Sequence, residues 1–125
     1  MRPHLLSPIL ALSLIGLPGL AFAKENRCGW IQNPTPGNYW LDDRDGTWII
    51  LSQGSPDEPL GMENFPDIST GDYVAANGNY GYTCGCIQAE TEGDPRDMGR
   101  ITAIYSVKLL PLSKCLADRS LPKPE

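Results

Sequence analysis

Between Asn38 and Leu51 the chain reads NYWLDDRDGTWIIL, with aromatic and β-branched residues on both sides of an Asp-Gly pair. Asp45-Gly46 in that setting is the strongest short-range hairpin signal. With these two residues as the loop, Leu41 pairs with Ile50 and Trp40 with Leu51. Side chains two apart along a strand point the same way, so Tyr39, Leu41, Trp48 and Ile50 share one face. Trp40, Asp42, Arg44 and Ile49 share the other. The first face reads as core. The second carries two charges, so Trp40 is expected to be partly exposed while Trp48 is buried.

The second half follows the same logic. YVAANGNYGYTCGCIQAET predicts a strand, a turn at Asn77-Gly78-Asn79 and a longer strand. Glu92 to Gly99 is a polar turn, and RITAIYSVKLL is the returning strand, with Ile101, Ala103, Tyr105 and Val107 on one face. Pro111 ends it, and SKCLADRS adds a helical turn near Cys115. From Ser52 to Asp72 the chain is rich in Gly, Pro and Asp without a sustained period. Such a stretch is commonly a functional loop or holds a short helix, and it is the segment that could cover Trp40 from outside. About five strands and little helix predict an all-β fold, a small single-domain barrel or a strongly curved antiparallel sheet. No repeat or heptad pattern interrupts this reading.

The first residues carry a different pattern. After Arg2, LLSPILALSLIGLPGL runs without a charge, and Ala21 and Ala23 stand at the small-x-small spacing before Lys24 that signal peptidase reads. Pro8, Gly16 and Pro18 break a run already shorter than the roughly 20 residues a membrane-spanning helix needs. Residues 1–23 are therefore expected to be a cleaved signal peptide and residues 24–125 one domain, periplasmic or secreted. No cysteine directly follows the cleavage site, which argues against a lipid anchor.

Cleavage changes the composition. The only histidine, His4, leaves with the leader, as does Arg2, so nine basic residues face fifteen acidic ones, a net charge near −6. Nucleic acid and anionic lipid need a cationic footprint, so neither is an expected partner. A cationic partner is compatible with this charge.

All four cysteines, Cys28, Cys84, Cys86 and Cys115, remain. An even count in a small exported chain reads as two disulfides with three possible connectivities. Cys84 and Cys86 are two apart in a strand and face the same way, placed to receive Cys28 from one side and Cys115 from the other. A redox pair would want a base or a helix start nearby; the flanks here are Tyr82, Thr83, Ile87 and Gln88. A zinc site would want two separated cysteine pairs or added histidine. No cofactor or metal is expected.

These segments together, RCGW, NPTPGNYWLDDRDGTWII, NGNYGYTCGCIQ and RITAIYSVKLLPLSKC, resemble a family of small exported bacterial proteins classed as domain of unknown function 4087. The likeness runs from Cys28 to about Leu121. It implies that the four cysteines are the family's cysteines and that the protein belongs to the bacterial envelope. It implies no activity.

Catalytic chemistry finds little support. Without histidine the Ser-His-Asp and Cys-His arrangements are closed. Asp42, Asp43, Asp45, Asp57, Glu58 and Glu63 could supply a carboxylate pair, but no spacing singles out two of them. LDDRDG fails as an EF-hand loop, because Leu41 and Ser52 fall where Asp and Glu are required. Binding remains. The expected function is an exported binding module for an unknown protein or glycan partner, monomeric and free of the membrane after cleavage. Its more specific form is an inhibitor of a cationic enzyme such as a lysozyme. Trp40, Asp42, Arg44 and Tyr80 are its candidate binding residues, since exposed aromatics anchor interfaces. The alternative is a thiol-disulfide oxidoreductase using Cys84-Gly85-Cys86.

Overall fold

The computed structural model describes residues 24–124, so the expected signal peptide lies outside the described residues. Six strands account for just over half of the described residues: β1 (Glu25–Thr35), β2 (Asn38–Asp43), β3 (Gly46–Leu51), β4 (Tyr73–Asn77), β5 (Tyr80–Glu92) and β6 (Gly99–Leu110). One short helix, α1 (Leu112–Leu116), follows β6. The sheet order is β1-β2-β3-β6-β5-β4, and β1 pairs with β5 as well. Strands β1, β2, β3, β6 and β5 therefore close into a ring, with β4 added beside the start of β5. The β3–β6 pairing is parallel and the other pairings are antiparallel. The expected small barrel is what the chain forms, in a mixed rather than wholly antiparallel sheet. Closure leaves the ring strands few free edges. Among the described residues no helix is long and apolar enough to cross a membrane.

Ile31, Leu41, Trp48, Ile50, Ile87, Ala89, Ile101 and Ile104 fill the ring. The aperiodic Ser52–Asp72 stretch holds two 3-10 turns, Met62–Asn64 and Ile68–Thr70. It serves as packing: Ile68 is buried in the core, and Met62 and Phe65 lie against it. Phe65 meets Tyr39 edge-on, with ring centroids 5.4 Å apart. Leu60 stitches the same segment to β6, donating its N–H to Thr102 and accepting from the N–H of Ile104.

The hairpin register differs from the expected one. Leu41 lies opposite Trp48, Trp40 opposite Ile49 and Asp43 opposite Gly46, which makes Arg44-Asp45 the loop. The cause is Asp43, whose Oδ1 accepts from the backbone N–H of Asp45 at 2.8 Å and of Gly46 at 3.2 Å. That side-chain turn starts the reversal one residue early. The resulting shift is two residues, and a two-residue shift leaves every side chain on its own face. Trp48 is accordingly buried at 3% exposure, and Trp40 is partly exposed.

Strand β6 breaks the expected alternation. Gln88 is opposite Ser106 but Ala89 is opposite Ile104, and Glu90 is opposite Ala103 while Thr91 is opposite Ile101. Tyr105 and Thr102 are thus extra residues at two β-bulges, where a period of two fails. Tyr105, expected on one face with Ile101, Ala103 and Val107, instead stands 39% exposed while Ile101 and Ala103 are buried. Its hydroxyl donates to Glu90 Oε1 at 2.8 Å, and Ile104 takes the core position.

Gly99 opens β6 beside Trp48, and a Cβ built there would lie 2.6 Å from the indole ring. Gly99→Ala is expected to cost about 1 to 3 kcal/mol through overpacking. Urea unfolding of the variant checks this; an unchanged midpoint would mean that the Trp48 ring has room to move.

Candidate functional site

Strict alternation in β1 turns Gly29 and Ile31 inward and Cys28, Trp30 and Gln32 outward. The ladders then build two rows across the outside of the barrel. Gln32 is opposite Trp40 and Trp40 opposite Ile49; Trp30 is opposite Asp42 and Asp42 opposite Thr47. The rows meet different fates. Trp30 is buried with Cys84 and Cys115 under Leu112 and Leu121, and its indole N–H donates to the Pro122 carbonyl at 3.0 Å. Helix α1 and the tail behind it therefore cover that part of the face.

Past Trp30 the cover stops. Pro122 and Lys123 become one wall of a cleft of about 370 Å³, with Trp40, Asp42 and Thr47 across it. Asp42 organises the floor: Oδ2 accepts from Gln32 Nε2 at 3.0 Å, and Oδ1 accepts from Thr47 Oγ1 at 2.6 Å. Gln32 is only 5% exposed, so its amide is fixed by its surroundings. A partly exposed indole beside a fixed amide, carboxylate and hydroxyl can stack on a ligand face and exchange hydrogen bonds along its edge.

A second polar cluster sits at the inner end of β1. Arg27 Nε pairs with Glu25 at 2.6 Å, and its Nη1 pairs with Asp43 at 3.0 Å and Asp45 at 3.1 Å. The guanidinium lies 4.1 Å from the Trp48 ring centroid, and the Trp48 indole N–H donates to Asp43 at 3.0 Å. Burial pulls the Arg27 guanidinium down, but its hydrogen bonds to Asp43, Glu25 and Asp45 more than offset that and hold it above its ordinary value. Every charged member is paired, and Glu25, Arg27, Asp45 and Trp48 line an open cavity of about 630 Å³. The sequence reading missed it, because nothing in the spacing ties Arg27 to residues sixteen and eighteen positions away.

Of the four candidate binding residues, the fold brings Trp40 and Asp42 together and separates the other two. Arg44 is exposed at the loop tip and lines a smaller recess with Cys28, Asp45 and Asp118. Hydrogen bonds from the Ser120 hydroxyl and backbone N–H, aided by the charge of Arg44, hold the Asp118 carboxyl below its ordinary range. Tyr80 opens β5 opposite Asn77, near the Tyr39 phenol. Gln32, Thr47 and the Pro122-Lys123 wall were absent from the sequence reading. The alternation that gave Trp40 and Asp42 also marks Thr47, but only pairing with β1 reveals Gln32.

All four cysteines are joined, Cys28 to Cys86 and Cys84 to Cys115. Among the described residues no group of three or more His, Cys, Asp or Glu side chains is placed to hold a metal ion. The family described as a protein of unknown function, DUF4087, matches residues 22–122. The chain belongs to that family. The DUF4087 match takes in every strand, both crosslinks and the cleft as far as Pro122. No curated protein and no solved structure matches the chain.

Proposed function

We propose that this protein is an exported, disulfide-stabilised binding module that meets its partner with the outer face of β1, β2 and β3 around Trp40. One observation carries the reading: a partly exposed tryptophan borders a cleft whose polar floor is already hydrogen-bonded. A floor fixed before binding costs less ordering when a ligand arrives. Five-stranded OB barrels use the face of their second and third strands for oligosaccharides and oligonucleotides; that likeness is one of architecture alone. Export rests on the leader pattern of residues 1–23 and on two disulfides, which persist in oxidising compartments such as the periplasm or the exterior.

The partner is a glycan or a protein. Fifteen acidic residues favour a cationic protein, and an enzyme such as lysozyme would then associate faster at low salt. The oxidoreductase reading is weaker, because Cys84 and Cys86 enter separate crosslinks to distant residues. The test is capture by the immobilised protein and its Trp40→Ala variant from envelope extract and from purified lysozyme. The variant is expected to lose about thirtyfold in affinity, as for a hot-spot aromatic. Equal capture by both proteins would sink the assignment of this face.

A further inference from the structure

We infer that the ligand of the Trp40 cleft is a carbohydrate, a sugar ring packed on the indole with its hydroxyls on Asp42 and Gln32. The inference rests on the binding-face reading and narrows it to one chemistry. A sugar ring presents an apolar C–H face and a rim of hydroxyls, each both donor and acceptor. Its complement is an aromatic side chain beside planar polar groups. Trp40 supplies the first. Asp42 supplies acceptors: each of its oxygens receives one hydrogen bond within the floor, and a carboxylate oxygen can accept another. Gln32 keeps its amide oxygen and a second N–H for the same purpose. Lys123 on the facing wall adds donors. A volume of about 370 Å³ falls toward the small end of ligand sites, which run from about 300 to 1,000 Å³.

The competing classes fit less well. A purely apolar ligand would strip water from Asp42 and Gln32 without replacing its hydrogen bonds. A nucleic-acid strand offers bases for stacking, but its phosphates need a row of cations. This cleft holds one lysine and one aspartate, on a chain with an acidic excess. A basic peptide could reach Asp42, and it serves as the rival in the test.

The experiment is a titration of the chain from Lys24, followed by the indole N–H resonances. The probes are tetrasaccharides of glucose, N-acetylglucosamine and mannose, a short oligothymidylate, and oligolysine. The Trp48 N–H is bonded to Asp43 away from the cleft, whereas the Trp30 N–H is bonded to Pro122 on its wall, so a ligand in the cleft should move the Trp40 signal most, the Trp30 signal less and leave Trp48 in place. At least one tetrasaccharide is expected to saturate that shift. Trp40→Ala should then weaken it about thirtyfold, Asp42→Asn about tenfold, and Trp40→Phe, which keeps a ring, by less than Trp40→Ala. If no sugar moves Trp40 while Trp40→Ala still abolishes capture of a protein partner, the carbohydrate inference is wrong and the binding face stands. Saturation by oligothymidylate or oligolysine alone also overturns it. Sugar binding that survives Trp40→Ala unchanged would remove both the inference and the face.

Discussion

Trp48→Ala is expected to cost about 3 to 5 kcal/mol of stability, as for a large aromatic taken from a core, and Trp40→Ala about 1 kcal/mol or less, as for a surface change. The two residues are eight positions apart in one hairpin, so propensity and chain entropy barely distinguish them. Their environments do. Trp48 faces the barrel interior, packs against Gly99, receives the Arg27 guanidinium on its ring and donates to Asp43. Removing it opens a cavity and takes a donor from a buried carboxylate. Trp40 points outward into a cleft and loses mainly side-chain contact with its row neighbours Gln32 and Ile49. Urea unfolding of both variants decides the matter. Equal, large losses would make Trp40 a core residue and end the binding-face proposal.

Reducing both disulfides should lower the thermal midpoint more than any surface substitution. The crosslinks span 58 and 31 residues, and the chain-entropy relation assigns loops of these lengths about 4 kcal/mol each. The two loops overlap between Cys84 and Cys86, so the losses should not simply add. Their removal should also look different. Cys28 and Cys86 join strands that the β1–β5 ladder already pairs. Cys84 and Cys115 pin α1 against Trp30, so opening that bond should free the tail, expose Trp30 and shift its emission to the red. Calorimetry with reductant and separately with chelator is the check. A midpoint that ignores reductant but falls with chelator would reverse the account.

What the sequence made readable depended on whether an error preserved parity. The hairpin register was misplaced by two residues because Asp43 captures the turn, yet both faces came out right. In β6 the error was odd: the bulged Tyr105 sent the alternation out of step, and nothing in RITAIYSVKLL announces a bulge. The Ser52–Asp72 stretch has no period, so its role as packing for the barrel appears only when Ile68 and Phe65 are seen against the core. Cys84 and Cys86 were expected in separate crosslinks to distant cysteines, but which of them takes Cys28 could not be chosen, since both face the same way. The cleft was half visible. Trp40 and Asp42 follow from alternation within one strand, whereas Gln32 arrives through the β1–β2 pairing and Lys123 with the tail bonded to Trp30.

The same two-residue spacing in β5 has a further consequence for how the chain reaches this state. Sliding β1 by two residues along β5 would keep each side chain on its face and set Cys28 opposite Cys84. Hydrophobic patterning barely penalises that slip, but sulfur chemistry makes it permanent. A Cys28–Cys84 bond would leave Cys86 to find Cys115, and the misaligned ring would be a covalent isomer. Its return would need thiol-disulfide exchange, which takes minutes to hours without a catalyst. Proofreading of strand alignment thus passes from packing to disulfide isomerisation, and the Cys28–Cys86 bond is its written record.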